Sequence, residues 1–492
     1  MSMTRKVEKL ISRRSFLAGS TCMALASCST TTRSRSTTSG DPTRPNILWI
    51  IAEDTCPDLG CYGNRWVKTP NLDRLASQGL RFTNVFTTSP VCSASRSAFM
   101  TGMYQTSIGA HNHRSHRNDG YRLPKGIHVI TDYLSDTGYF TANLKKAGDP
   151  RWGSGKNDFN FMVDKPFDGT HWNQRAFGQP FYAQVSFNEP KPGDWADNAI
   201  LLSPEQRVNP AALSLPPYWP DHPVVRGAFG NYLDAIARLD RRVGFILNQL
   251  EADGLADNTI VLFFADHGRA MVRCKQWLYD GGIHIPLIVR FPDRYQAGTT
   301  HTELVSAIDI TATTLKLSGI KLPANLEGRI FLGDKRDPPR EYIVAARDRC
   351  DETVDRIRCV RTKRFKYIRN FMPERPYTQL NRYVEQKFAT MSILRQLQAT
   401  GKLTPEQELF MAPQRPTEEL YDLQSDSHEV RNLSSSSQHS AKLKQMRAIL
   451  DQWIACTGDK GAIAEDSSVL KKWDEVMKER HPLPHNFKTG RF

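Results

Sequence analysis

Two apolar runs, far apart in the chain, have the pattern of buried strands. Residues 45–54 read Pro-Asn-Ile-Leu-Trp-Ile-Ile-Ala-Glu-Asp, and residues 258–268 read Asn-Thr-Ile-Val-Leu-Phe-Phe-Ala-Asp-His-Gly. Their apolar residues are consecutive rather than alternating, which is typical of central parallel strands covered on both faces. Each run ends in polar residues, and ligands in open α/β sheets bind beyond the carboxyl ends of such strands. We therefore predict two buried strands with a ligand site at their ends.

A helical pattern lies between the two runs. Apolar residues recur there at helical spacing, with Gly254 following as a stop: Leu233, Ile236, Val243, Ile246, Leu247 and Leu250. Alternation of helices with apolar strands predicts an α/β domain over residues 44–340. Short strand patterns at Tyr342–Ala346 and Phe365–Arg369 predict a smaller C-terminal domain over residues 341–492, with a short antiparallel sheet and a helix. The polar, helix-prone stretch Gln379–Met411 is expected to form an insertion over the mouth of the site.

The acidic ends of the two strands suggest a metal site. If the strands lie side by side in one sheet, Glu53 and Asp54 meet Asp266 and His267. Carboxylate oxygens suit a hard divalent cation such as Ca²⁺. Two simpler interpretations stay open: the acidic pair forms an ordinary polar turn, and His267 is a loop histidine, since calcium prefers oxygen ligands.

A short motif around Cys92 suggests a modified nucleophile. Residues 89–97, Ser-Pro-Val-Cys-Ser-Ala-Ser-Arg-Ser, contain Cys-x-Ala-x-Arg, and Thr-Gly-Met-Tyr follows at 101–104. Such a cysteine is a candidate for enzymatic oxidation to formylglycine, whose hydrate is a nucleophile that no unmodified side chain imitates. By residue usage the pattern follows a given cysteine roughly once in a hundred. Alone, it therefore favours a buried free cysteine, and the neighbouring motifs decide.

Further motifs occur in order along the chain: Thr69–Ala76 (Thr-Pro-Asn-Leu-Asp-Arg-Leu-Ala), Lys275–Ile283 and Glu419–Leu423. Together with Cys92–Arg96 and the strand ends, they resemble the formylglycine sulfatases of the alkaline phosphatase superfamily, over most of the chain. Glu53 and Ala94 depart from the commoner aspartate and proline of that family. The resemblance implies a large central mixed, mostly parallel sheet flanked by helices.

Two stretches indicate a subgroup within that family. Gly155–Phe161 and Asp348–Thr353 resemble bacterial heparan N-sulfatase-like members, which are similar to N-sulfoglucosamine sulfohydrolase. Members of this subgroup need not share one substrate. The resemblance therefore implies a sulfated saccharide without fixing the sugar or the position of its sulfate.

The resemblance implies a role for each site residue. Cys92, converted by a formylglycine-generating, sulfatase-maturing enzyme, would attack sulfur, and Arg96 would hold its hydrate. Lys275 and Lys156 would contact the sulfate, with Lys146 as a competing choice for the second lysine. One Ca²⁺ would be bound by five residues: Glu53, Asp54, Cys92, Asp266 and His267.

The acid that protonates the leaving group is the open position in this scheme. The histidines usual in the family are replaced by Asp158 in the motif Gly-Lys-Asn-Asp and by Lys191 in Phe-Asn-Glu-Pro-Lys. Four histidines are candidates instead, and two of them are expected to be surface residues: His111, His113, His116 and His171. We assign His111 and His171 as the catalytic candidates.

The N-terminus resembles an export signal. Ser-Arg-Arg-Ser-Phe-Leu at residues 12–17 is similar to a twin-arginine motif, and a short apolar stretch follows it. Leu-Ala-Ser-Cys at 25–28 then resembles a lipobox, with Cys28 as the lipidated residue; simple signal cleavage nearby is the alternative. Residues 1–28 are thus a signal and residues 29–43 a flexible tether. We expect an exported protein in the bacterial periplasm or at the cell surface, anchored to a membrane at Cys28.

Charge and cysteine content agree with this picture. The formal net charge of +14 suits a polyanionic partner such as a sulfated glycan. Nucleic acid is disfavoured by the export signal and by the lack of a recognisable binding motif. No Cys-x-x-Cys pair occurs, which disfavours a zinc site.

The sequence thus predicts a calcium-dependent formylglycine sulfatase that hydrolyses sulfate ester or sulfamate groups of a sulfated saccharide. Three alternatives stay open. The first is a phosphodiester or phosphonate monoester hydrolase with the same nucleophile. The second is a catalytically inactive lipoprotein that binds sulfated glycans, and the third is a purely structural surface lipoprotein.

Overall fold

The computed structural model describes residues 44–116, 119–145, 155–192 and 202–484. Within these residues, the larger sheet has strand order β3-β4-β1-β5-β6-β2-β7. Its strands are β1 Asn46–Ala52, β2 Leu80–Phe86, β3 Phe140–Asn143, β4 Phe181–Phe187, β5 Thr259–Ala265, β6 His284–Arg290 and β7 Thr299–Ser306. Only β6 runs antiparallel to its neighbours in this sheet, β5 and β2. The predicted mixed, mostly parallel sheet is confirmed.

Helices alternate with the strands as the sequence predicted. Their bounds are α1 Pro70–Ser77, α2 Cys92–Thr101, α3 Ile130–Asp136, α4 Pro223–Ala252, α5 Asp280–Ile283, α6 Ala307–Leu317, α7 Arg382–Lys387, α8 Ala389–Ala399, α9 Pro405–Met411, α10 Ser440–Thr457 and α11 Ser467–Arg480. The apolar series predicted between the strands is buried along α4. This helix ends before Gly254, whose φ of 68° suits glycine.

The smaller sheet is antiparallel, with strand order β11-β10-β9-β8. Its strands are β8 Tyr342–Arg347, β9 Ile357–Thr362, β10 Phe365–Asn370 and β11 Glu418–Asp422. Apolar residues of α10 share a core with this sheet, so the predicted sheet and helix are both confirmed. The boundary between residues 340 and 341 stays a prediction, because Arg44–Phe492 forms one compact unit.

The core is built around β1, all of which is buried. Trp49 packs edge-on against Tyr182 of β4 and Phe264 of β5, with ring centroids 5.3 Å apart in both pairs. The register pairs Ala52 with Ala265, the last residues of β1 and β5. The polar residues that follow these two strands therefore emerge side by side.

Three predicted features lie outside the described residues: the export signal with its tether, the anchor residue Cys28, and Lys146. Among the helices that the structure describes, none is both long enough and apolar enough to cross a bilayer.

Candidate active site

The carboxyl ends of β1 and β5 bring the predicted acidic ligands together. Glu53, Asp54, Asp266 and His267 are all fully buried. The backbone N–H of Asp266 donates to the carbonyl of Ala52 (3.0 Å), and that of Asp54 donates to Oδ1 of Asp266 (3.1 Å). Nε2 of His267 lies 3.1 Å from Oδ1 of Asp54. The two turns thus form one cluster.

Cys92 is the first residue of α2, and only 5% of its surface is exposed. Its Sγ lies 3.1 Å from Nε2 of His267 and 3.6 Å from Nζ of Lys275. Burial opposes ionisation of the thiol, but the cations of Lys156, Lys275 and His267 outweigh it and lower the pKa of Cys92. The predicted nucleophile therefore lies at the acidic cluster, in a setting that favours an anion.

Arg96 lies one helical turn beyond Cys92 and is 1% exposed. Its Nε donates to Oδ2 of Asp266 (3.1 Å) and its Nη1 to Oγ of Ser186 (3.0 Å), while Nη2 lies 3.8 Å from Oε1 of Glu53. Although burial lowers the pKa of Arg96, these carboxylates raise it overall. Arg96 thus fixes the two carboxylates of the cluster from behind.

Two lysines complete the cluster on the side of the nucleophile. Nζ of Lys275 lies 2.9 Å from Oδ1 of Asp54, and Nζ of Lys156 lies 2.9 Å from Oε1 of Glu53. Burial alone would lower the pKa of Lys275, but Asp54 and Cys92 raise it. Both ammonium groups therefore stay charged. Of the two lysines that competed for the second position, the structure places Lys156 in the site.

The donor set fits a hard cation. The carboxylates of Glu53, Asp54 and Asp266 are all buried at the ends of β1 and β5, and Oε2 of Glu53 is buried without a hydrogen-bond partner. The ligand atoms of Asp54, Cys92 and His267 all lie within 4.8 Å of one another. Burial lowers the pKa of His267, but Asp266 and then Cys92 outweigh it and raise that pKa to about 9. This concentration of anionic groups suits a divalent ion.

A cleft of about 370 Å³ opens above the cluster. Cys92, Lys156 and Lys275 line it together with further residues, of which the sequence analysis had named His113 as a candidate acid and Asp158 and Lys191 at the positions of the family's usual histidines. These additional lining residues are His113, Arg114, Asp158, Lys191, Pro192, Gln276, Cys350, Asp351, Tyr383, Lys387, Trp473, Arg480 and His481. The C-terminal region therefore contributes much of the wall.

The structure does not bring His111 or His171 to this cleft. Nδ1 of His171 accepts from the backbone N–H of Asn173 (3.1 Å), and the neighbouring Trp172 stacks on Phe181 at the start of β4, opposite the site. His111 lines a separate cavity of about 270 Å³. Neither His111 nor His171 is thus among the residues that line the cleft at Cys92, so the structure gives these two assignments no support.

Of the four candidate histidines, His113 is the one that lines the cleft. His116 instead pairs with the exposed carboxylate of Asp119. Nδ1 of His113 lies 3.1 Å from Oδ1 of Asp351, and its Nε2 is buried without a hydrogen-bond partner. Burial, only partly opposed by Asp351, lowers the pKa of His113 to about 4. The partner of His113, Asp351, belongs to the subgroup motif at 348–353. That motif is the feature of the sequence that could have pointed to this side of the cleft. Nothing in the sequence marked His481.

Comparison with known proteins identifies this arrangement. The sulfatase family model matches residues 45–320, more than half of the chain. The chain belongs to the sulfatase family. The model of the C-terminal domain of N-sulphoglucosamine sulphohydrolase also matches, over residues 268–383. The predicted family, fold and class of enzyme, a sulfuric ester hydrolase, are thereby confirmed, and the family in general implies a metal ion and a formylglycine.

Individual proteins similar to this sulfatase agree. It is 34% identical to an ulvan-active sulfatase from Formosa agariphila, with 88% of this chain and 78% of the relative covered. It is 25% identical to human N-sulphoglucosamine sulphohydrolase, with 89% and 95% covered. A solved structure from Bacteroides thetaiotaomicron, assigned as a sulfatase, shares the fold with a TM-score of 0.62 at 21% identity, covering 87% of this chain and 96% of that one.

Proposed function

We propose that this sulfatase removes a sulfate ester or sulfamate group from a sulfated saccharide, using formylglycine formed at Cys92 and one Ca²⁺. The observation that carries the proposal is the buried Sγ of Cys92, 3.1 Å from His267 and 3.6 Å from Lys275. Two relatives are named for sulfated saccharides, ulvan and N-sulphoglucosamine. Ulvan oligosaccharides are the first probe, because the ulvan-active relative is the more similar of the two.

The residues around the cluster would hold the ion. Glu53, Asp54 and Asp266 supply carboxylate oxygens, and His267 and residue 92 complete the set. Bound there, Ca²⁺ would stabilise negative charge on the sulfate oxygens and favour ionisation of the nucleophile. Arg96 holds Asp266 and Glu53 in place, so these carboxylates need little rearrangement when the substrate enters.

The chain's other residues act on the substrate. A hydrated aldehyde at residue 92 would supply one hydroxyl, whose oxygen would bond to sulfur as the bond from sulfur to the saccharide oxygen or nitrogen breaks. Deprotonation of its second hydroxyl would then re-form the aldehyde and expel sulfate. Lys275 and Lys156 donate to sulfate oxygens, where charge develops, and both are already ordered by buried carboxylates. We assign proton exchange with the leaving group to His113, because its Nε2 is unpartnered at the cleft.

The mass of the tryptic peptide Phe82–Arg96 tests the nucleophile. The chain is expressed with and without a formylglycine-generating enzyme, and Cys92→Ala is the control. We expect the aldehyde mass only with the maturing enzyme, and sulfate release from ulvan or N-sulfoglucosamine oligosaccharides only from that sample. A thiol in both samples, or glycan binding without sulfate release, would contradict the proposal. Faster hydrolysis of an aryl phosphodiester than of an aryl sulfate would favour the rival hydrolase.

We further propose that the protein is exported and held at a membrane through lipid on Cys28. The supporting observations are the Arg13-Arg14 motif and the Leu-Ala-Ser-Cys stretch at 25–28. Maturation at Cys92 requires a formylglycine-generating enzyme as a partner in the same cell.

A further inference from the structure

The residues that line the cleft carry more positive charge than one bound sulfate would balance. Among the residues that the structure describes, six cationic side chains line it and two carboxylates do, those of Asp158 and Asp351. The cations are Arg114, Lys156, Lys191, Lys275, Lys387 and Arg480. A single sulfate bound at Cys92 would leave most of this excess unmatched.

The cations at the floor of the cleft have carboxylate partners. Lys156 pairs with Glu53, Lys275 with Asp54, and Arg114 lies 3.4 Å from Oδ1 of Asp351. Lys191, Lys387 and Arg480 are different: no carboxylate of the described residues lies within 4.0 Å of them. We call these three side chains the cation rim. The excess charge is therefore at the mouth.

The cation rim comes from three separate parts of the fold. Lys191 belongs to the loop after β4, Lys387 is the last residue of α7, and Arg480 is the last residue of α11. The last turn of any helix favours cations, because the helix dipole places partial negative charge at its C-terminus. That preference does not account for Lys191, which lies in no helix and lines the same cleft.

The end of α11 is fixed against the cleft. The ring of His481 packs 5.6 Å from that of Tyr383 and hydrogen-bonds to Gln386. Two turns earlier on the same face of the helix, the guanidinium of Arg349 lies 5.4 Å from the ring of Trp473, which also lines the cleft. Burial and then Lys387 lower the pKa of His481, which agrees with a positive potential at the rim. Arg480 is thus held beside the mouth.

We propose that the cation rim binds a second anionic group of the saccharide, a carboxylate or another sulfate. This inference rests on the proposed function, because it concerns the substrate of the same cleft. A volume of about 370 Å³ leaves room for sugar beyond the sulfate under attack. The rim would make this sulfatase select saccharides with two negative groups near each other.

Charge-removing variants at the rim test the inference. Arg480→Gln and Lys387→Gln are compared with Lys472→Gln, which removes an exposed charge from the same helix α11 outside the cleft. Probes are ulvan and heparan sulfate oligosaccharides, each native and after reduction of uronic carboxylates to alcohols, and singly and doubly sulfated glucosamine. The readout is the ratio of kcat/KM for the more anionic probe to that for the less anionic one.

We expect each rim variant to lower that ratio by roughly 3- to 10-fold through KM, and Lys472→Gln to preserve it. If the rim variants lower the ratio of kcat/KM for native to carboxyl-reduced oligosaccharides, the second group is a carboxylate. If they lower the ratio for doubly to singly sulfated glucosamine, the second group is a sulfate. Equal ratios in wild type and both rim variants would overturn the inference. If no probe releases sulfate, the proposed function fails. The role of the cation rim is then tested separately, by comparing the affinities of the Cys92→Ala chain for the more anionic and the less anionic probe of each pair.

Discussion

At the scale of single residues, the site consists of buried side chains of opposite charge that pair with each other, and it opens to the cleft at Cys92. Nζ of Lys275 lies 3.6 Å from the Sγ of Cys92, and its carboxylate partner Asp54 holds it there. Lys275→Ala should lower kcat by roughly 100- to 1,000-fold, because a fixed donor to developing negative charge is lost. Sulfate release at saturating substrate measures this, with Lys471→Ala as the exposed control. Unchanged kcat in a fully matured variant would exclude this role.

His113 gives a second residue-scale prediction, for stability against pH. Its pKa is about 4 in the folded chain, below the ordinary value of 6.5. The unfolded chain therefore takes up the proton first, and folded-state stability falls as the pH drops from about 6.5 towards 4. In His113→Gln the loss between pH 7 and pH 5 should be smaller by about 2 kcal/mol. Urea unfolding at both pH values measures it, with exposed His128→Gln as control; identical losses would contradict the assignment.

At the scale of elements, a buried ion cluster links β10 to the start of α5, which precedes β6 of the large sheet, and to the loop after β11. Nζ of Lys366 lies 2.5 Å from Oδ1 of Asp280 and 2.6 Å from Oε1 of Glu429. Lys366→Met removes the cation that both carboxylates share, although Arg361 still lies 3.2 Å from Oδ2 of Asp280, and should cost about 3–5 kcal/mol of unfolding free energy. Lys363→Met, in the exposed turn of the same hairpin, should change it by less than about 0.5 kcal/mol. Denaturant titration compares the two, and equal effects would show that the cluster adds nothing.

The strands and helices also show how much of the fold and the site could be predicted from the sequence. The strands before Glu53 and Asp266 were predictable, because a consecutive apolar run needs cover on both faces and its polar end is local. The choice among histidines was not, since burial and the packing of the loop at 111–116 decide that His113 faces the cleft and His111 does not. Arg480 reaches the site only through the tertiary placement of α11, for which no local pattern exists.

At the scale of the whole molecule, the proposed anchor predicts where the protein is found. Cys28→Ala should move the chain from the membrane fraction to the soluble exported fraction, because lipid can no longer be attached. Cys22→Ala, in the same signal, is the matched control and should leave the distribution unchanged. Fractionation of a bacterium that expresses both variants measures this. Equal membrane content in wild type and Cys28→Ala would remove the anchor from the proposal.

The burial of Cys92 has a consequence for the order of events in the cell. The thiol is 5% exposed at the start of α2, which packs against the core. Another protein's active site cannot close around a residue so enclosed. If formylglycine forms at Cys92 as proposed, its oxidation would have to precede the docking of this helix, while the segment is still an extended peptide. Under that proposal, a molecule that folds before it meets its maturing enzyme would stay inactive, and the yield of active sulfatase would depend on the relative rates of folding and modification.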